Sequence, residues 1–219
     1  MAAFAESVNV GVLSHLCSSP RCVTFDVEIQ DEVEATGGWD ATDRMRISVA
    51  VAHAHWLGRS FLFGDNDRER QRLIDLIMNA DVVAGFNIWS FDLPLLFRSP
   101  RAVWDREHMV IAPGLAARVF DLMRHARLSL KKPLDGPCGM GLDLNSCAVA
   151  TLGHAALGGK SAHGSAAPSM FQSGDLLRLH QYCMDDVWLE SQLVDFARRH
   201  RYFLSGQGKC SVVVDPLWE

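Results

Sequence analysis

The chain has 219 residues, 48% apolar and 21% charged, with 17 Gly and 8 Pro, which excludes disordered and collagen-like classes and fits one domain around a single core. A formal charge of −5 argues against a general nucleic-acid coat protein, which needs a broad excess of Lys and Arg, but not against a protein that meets phosphates through bound cations. No apolar run approaches the roughly 18 residues that span a bilayer, and the start lacks the pattern of a signal peptide, so a cytoplasmic place without membrane contact is expected.

In chain order, residues 1–20 are weakly patterned, end in Ser-Ser-Pro and read as a leader with little structure of its own, leaving 21–219 as one folded domain. Residues 22–28 (CVTFDVE), 45–53 (MRISVAVAH) and 55–63 (HWLGRSFLF) are rich in β-branched and aromatic side chains and predict three strands. The last two are expected to form an antiparallel hairpin that turns near 53–55. Asn66 followed by Glu69 has the form of a capping box. Leu73, Ile74, Leu76, Ile77 and Ala80 then recur at helical spacing, so a helix is expected over 67–79.

Residues 81–86 (DVVAGF) form an unbroken apolar run, as in a parallel strand buried on both faces. A short helix over 90–97 and a strand near 118–122 are expected next. The Gly- and Pro-rich stretch 131–141 and the Gly/Ser/Ala-rich stretch 158–174 predict exposed loops, with a helix over 142–152 between them. The strongest helical pattern covers 175–200, where Leu179, Cys183, Asp186, Leu189 and Leu193 lie on or near one stripe.

Three acidic clusters stand out. Asp26 and Glu28 are two apart on a predicted central strand, so both carboxylates share a face, an expensive arrangement unless something cationic sits between them. The string Asn87-Ile-Trp-Ser-Phe91-Asp92 begins where the apolar strand ends, the usual place for ligand sites in open α/β sheets. In Tyr182-Cys-Met-Asp-Asp186, the phenol and the last carboxylate are four apart and share one face of the long helix.

Together, the strings FDVE, NIWSFD and YCMDD resemble the DEDD superfamily of 3′-to-5′ exonucleases, in the subclass whose third motif carries tyrosine. The stretches LDLNSCAVATLG, Gly159-Lys160 and YCMDDVWLESQL extend the resemblance to ribonuclease-H-like exonuclease domains found alone or beside helicase domains in bacteria. It covers roughly Cys22 to the C-terminus and reaches the proofreading domains of family B DNA polymerases. The resemblance implies an α/β, ribonuclease-H-like fold with a five-stranded mixed sheet and helices on both faces.

It also implies that Asp26, Glu28, Asp92 and Asp186 ligate two divalent cations, Mg²⁺ or Mn²⁺, with Tyr182 orienting the attacking water. The implied substrate is the 3′ end of single-stranded DNA or RNA, and the implied partners are a helicase or a polymerase. His180 and Asp185 have the spacing of the histidine-bearing subclass, but Asp185 falls near Gln181, Trp188 and Gln192 on a mostly polar strip. Helical phase therefore favours Asp186 as the ligand.

Secondary candidates are Asn87, Trp89 and Lys160. Asn87 either braces the strand end through hydrogen bonds or touches substrate; Trp89 either stacks on a base or packs in the core; Lys160 either contacts a phosphate or is solvated. Arg124, Arg127, Lys131 and Lys132 form a modest basic cluster, and Asp121 and Asp143 read as helix caps. The six cysteines show no C-x-x-C pair and read as free buried thiols. Two other readings use the same residues: a non-catalytic binding module, disfavoured because a scaffold has no use for buried acids, and a structure-specific endonuclease.

Overall fold

The computed structural model describes residues 20–134, 141–157 and 166–212, so the expected leader lies outside the described residues except for its last position. Strand β1 (Cys22–Ile29) is the centre of a five-stranded sheet. On one side it pairs antiparallel with β2 (Ile47–Ala54), which pairs antiparallel with β3 (Arg59–Phe63). On the other it pairs parallel with β4 (Val82–Gly85), which pairs parallel with β5 (Val119–Asp121). The order β3-β2-β1-β4-β5 is the five-stranded mixed sheet expected of the ribonuclease-H-like fold.

Side chains alternate across a strand, so β1 serves two cores at once. Val23, Phe25, Val27 and Ile29 pack on one face with Leu73 and Ile77 of α2 (Asp67–Met78), Leu93 and Leu95 of α3 (Asp92–Leu96), and Trp104 of α4 (Arg101–Ile111). The opposite face lies under α8 (Leu176–His200). There Val49 and Val51 pack against Leu179, Cys183 and Val187, while Cys22, Val82 and Ala84 pack against Leu189 and Leu193. Helices therefore cover both faces, and Asp26 and Glu28 fall on the face under α8. A register shift between Glu28 and Ile29 marks a bulge that ends regular pairing beside them.

Several sequence expectations need correction. The second hairpin strand starts at Arg59, because His55–Leu57 forms a 3₁₀ turn closed by Gly58 at φ 58°, a conformation glycine adopts without strain. The segment expected as loop over 158–174 contains α7 (Ala167–Gln172), whose Ala167 and Met170 are buried against α8. The expected strand near 118–122 ends at Asp121 because that residue caps α5 (Leu122–Ser129). Helices α1 (Val33–Thr36), α4 and α5 and the hairpin of β6 (Tyr202–Ser205) with β7 (Gly208–Ser211) had no counterpart in the sequence reading. The remaining helix, α6 (Leu144–Leu152), starts two residues after the expected position, where Asp143 caps it. The cap at Asn66 holds, with its Oδ1 accepting from the Glu69 N–H at 3.0 Å.

At Gly85, the last residue of β4, both β1 and α8 crowd the backbone. A Cβ there would stand 2.4 Å from Cγ2 of Ile88, 3.0 Å from the Phe25 carbonyl oxygen and 3.4 Å from Oε2 of Glu190. Gly85→Ala is expected to cost about 1–3 kcal/mol through overpacking and to lower the melting midpoint by several degrees. An unchanged midpoint in a thermal melt would contradict this close approach.

Candidate metal centre

The period of β1 turns Asp26 and Glu28 toward α8, and the phase of α8 turns Asp186 back toward them. One carboxylate oxygen from each of the three lies within 4.8 Å of the others, close enough to share one ion. Glu28 and Asp186 are buried and Asp26 is half-buried. At 4.8 Å and an effective dielectric near 20, each ionised pair repels by about 3 kcal/mol. Three such pairs approach the whole stability of a typical domain, so three ionised carboxylates here require a counter-charge.

Asp92, the first residue of α3, stands beside this trio without meeting the same mutual spacing. Its side chain is 3% exposed, and Oδ1 accepts from the Val27 N–H at 2.9 Å, which fastens α3 to β1 between the two strand acids. Burial, and next the charge of Asp26, push its carboxyl well above the ordinary carboxylate range, against the opposing pull of the Val27 bond.

Tyr182 lies one turn before Asp186 on α8. Burial, then the carboxylates of Glu28 and Asp26, raise its phenol above its usual value, so it stays a neutral hydroxyl able to donate. Asp26, Glu28, Asp92, Tyr182, Asp186 and Asn87 all line one cleft of about 740 Å³. The helical-phase reading agrees with this placement: Asp185 is outside the cleft lining and accepts from Gln181 Nε2 at 2.7 Å, and His180 is also outside it.

The secondary candidates separate. Asn87 sits at φ 65°, a left-handed conformation that Asn tolerates better than most residues, and its N–H donates to Oδ1 of Asp121 at 2.9 Å. Trp89 does not line the carboxylate cleft. It is 8% exposed, donates from Nε1 to Oδ1 of Asp105 at 2.6 Å, and packs against Trp104 and His108. Its packing corresponds to the core alternative. Lys160 lies outside the described residues.

Three contributors to the site were not singled out from sequence, and a fourth, Asp121, was read only as a helix cap. Glu190, one turn beyond Asp186, is 1% exposed, and its Oε1 accepts from the Phe86 N–H at 3.1 Å. Its membership of the Asp186 stripe was a signal available beforehand. Cys183 is fully buried, with Sγ 3.5 Å from Oδ2 of Asp26, so its thiol donates to that carboxylate. Trp39 is 57% exposed at the cleft wall, its ring 5.5 Å from that of Phe91. Asp121 does more than cap α5: it accepts from the N–H groups of Asn87, Trp89 and Arg124, holding the 87–89 turn in place.

Asp121→Ala would strand these donors and remove the cap. It is expected to destabilise the fold by about 2–4 kcal/mol. A melting midpoint within a degree of the parent protein would contradict that role.

No protein-family model and no curated protein matches this chain.

Proposed function

We propose that the protein is a metal-dependent 3′-to-5′ exonuclease that hydrolyses the phosphodiester bonds of single-stranded DNA or RNA to nucleoside monophosphates. The observation that carries this reading is the convergence of Asp26, Glu28 and Asp186, with Asp92 tied beside them, at the floor of an open cleft. An oxygen-only set of crowded carboxylates fits hard divalent cations such as Mg²⁺ or Mn²⁺ and suits neither soft metals nor a redox centre. The direction of cleavage rests on the resemblance to the tyrosine-bearing DEDD exonucleases.

When bound, two such cations would supply an acidified water and a counter-charge for the leaving oxygen. The protein's own groups do the rest. Asp26, Glu28, Asp92 and Asp186 hold the charge that selects cations. Tyr182, kept neutral among carboxylates, donates to the attacking water and orients it. Cys183 fixes one oxygen of Asp26 from behind. Trp39 and Phe91 give the cleft an aromatic wall suited to a terminal base.

Cys22, Cys183 and Cys210 are free buried thiols, as suits a reducing compartment such as the cytoplasm. Among the described residues no helix is long and apolar enough to cross a membrane. A helicase or polymerase is the partner this reading anticipates.

A 5′-labelled single-stranded oligonucleotide with Mn²⁺ or Mg²⁺ is expected to give a ladder, and Asp26→Ala to reduce it to background. Absence of a ladder, or one undiminished in the variant, would overturn the reading. In parallel, Mn²⁺ at about 100 times its dissociation constant is expected to add about 2.7 kcal/mol, raising the melting midpoint by roughly 5–10 °C in the parent and not in Asp26→Ala.

A further inference from the structure

Among the described residues, eight carboxylates line the cleft and no Lys or Arg does. A polyanionic strand entering such a site is repelled wherever it extends beyond the bound cations, so the positive charge that holds its backbone has to come from adjoining surface.

Two other hollows contain several arginines each. The first, about 630 Å³, is lined by Arg44, Arg46, Arg70 and Arg98 and shares no lining residue with the carboxylate cleft among the described residues. Three of these charges are already engaged: Arg46 pairs with Asp31 at 2.6 Å, and Arg70 and Arg98 both face Asp67.

The second, about 400 Å³, shares Asn87 and Met123 with the carboxylate cleft and is therefore continuous with it. Its acids are engaged and its leading arginine is not. Asp121 accepts three backbone N–H groups, Asp105 accepts from Trp89, and Asp40 stands 4.0 Å from Arg101. Arg124 makes no ion pair among the described residues; its guanidinium lies over the Trp89 ring, 5.5 Å from the centroid. Trp89 is itself anchored by Asp105 and the Trp104 and His108 rings, so Arg124 rests on a rigid platform with its donors exposed. Arg127, by contrast, is buried and donates to the carbonyls of Pro133 and Leu134.

We propose that Arg124 binds a backbone phosphate of the single-stranded substrate as it leaves the cleft across Asn87 and Met123. This inference rests on the exonuclease reading and names the contact that holds the strand. Guanidinium donors suit phosphate oxygens, and a phosphate contact is indifferent to base sequence.

The test measures binding of a fluorescein-labelled single-stranded 12-mer to the full chain by anisotropy, with Ca²⁺ as the divalent ion and salt varied. Arg124→Ala is expected to weaken binding for every base sequence tried and to reduce the slope of log affinity against log salt by about 0.7. Arg124→Lys is expected to keep the slope, and Arg68→Ala, which removes an exposed charge from α2, to match the parent. If the parent chain ladders the oligonucleotide while Arg124→Ala binds with an unchanged slope, this inference fails and the exonuclease reading stands. A parent chain that neither ladders nor binds the strand removes both.

Discussion

The structure turns on the acids that β1 presents beneath a helix. A central strand with an apolar residue at every position would bury both faces without cost, yet here its second face carries Thr24, Asp26 and Glu28. That face can close under α8 only if the helix also presents polar groups at the matching height, and Tyr182, Asp186 and Glu190 are those groups, spaced one turn apart. Before and after them along the helix the contact is apolar, through Leu179 on one side and Leu193 on the other. The acids thus occupy a polar window in an otherwise dry interface, and mutual repulsion within it favours any divalent cation that enters.

The same chemistry braces the surrounding chain. Asp92 accepts from Val27, Glu190 from Phe86, and Asp121 from Asn87 and Trp89, so three buried acids each tie down the backbone where an element ends or begins. These bonds set the carboxyl ends of β1 and β4 in register with α3 and α8. Each acid used in this way offsets part of its desolvation through backbone donors, which lets so many carboxylates coexist in one small volume. It also divides the labour: Asp121 is committed to backbone, and Asp26, Glu28 and Asp186 converge on one point.

Much of this was legible in the residues. A period of two places Asp26 and Glu28 together, a period of 3.6 places Tyr182 with Asp186, and the apolar run 81–86 marks a buried parallel strand; these are local rules and the structure follows them. What escaped was set by tertiary contact. Helix α4 carries exposed Met109, Val110 and Ile111 and so shows little amphipathic pattern, while α7 is a helix of 6 residues beside a Gly-, Ser- and Ala-rich stretch, and its burial depends on α8. Trp89 was ambiguous in sequence because nothing local reveals that Asp105, sixteen residues on, accepts its indole N–H. Glu190 could have been found by following the Asp186 stripe one turn further.

The central claim is that the three converging carboxylates, with Asp92 beside them, form a divalent-cation site. Anomalous diffraction from a crystal soaked in Mn²⁺ addresses it without any assay of activity. The account predicts strong manganese peaks between the side chains of Asp26, Glu28 and Asp186, with Asp92 alongside. A map with no peak there, or with manganese bound only elsewhere on the surface, would contradict it.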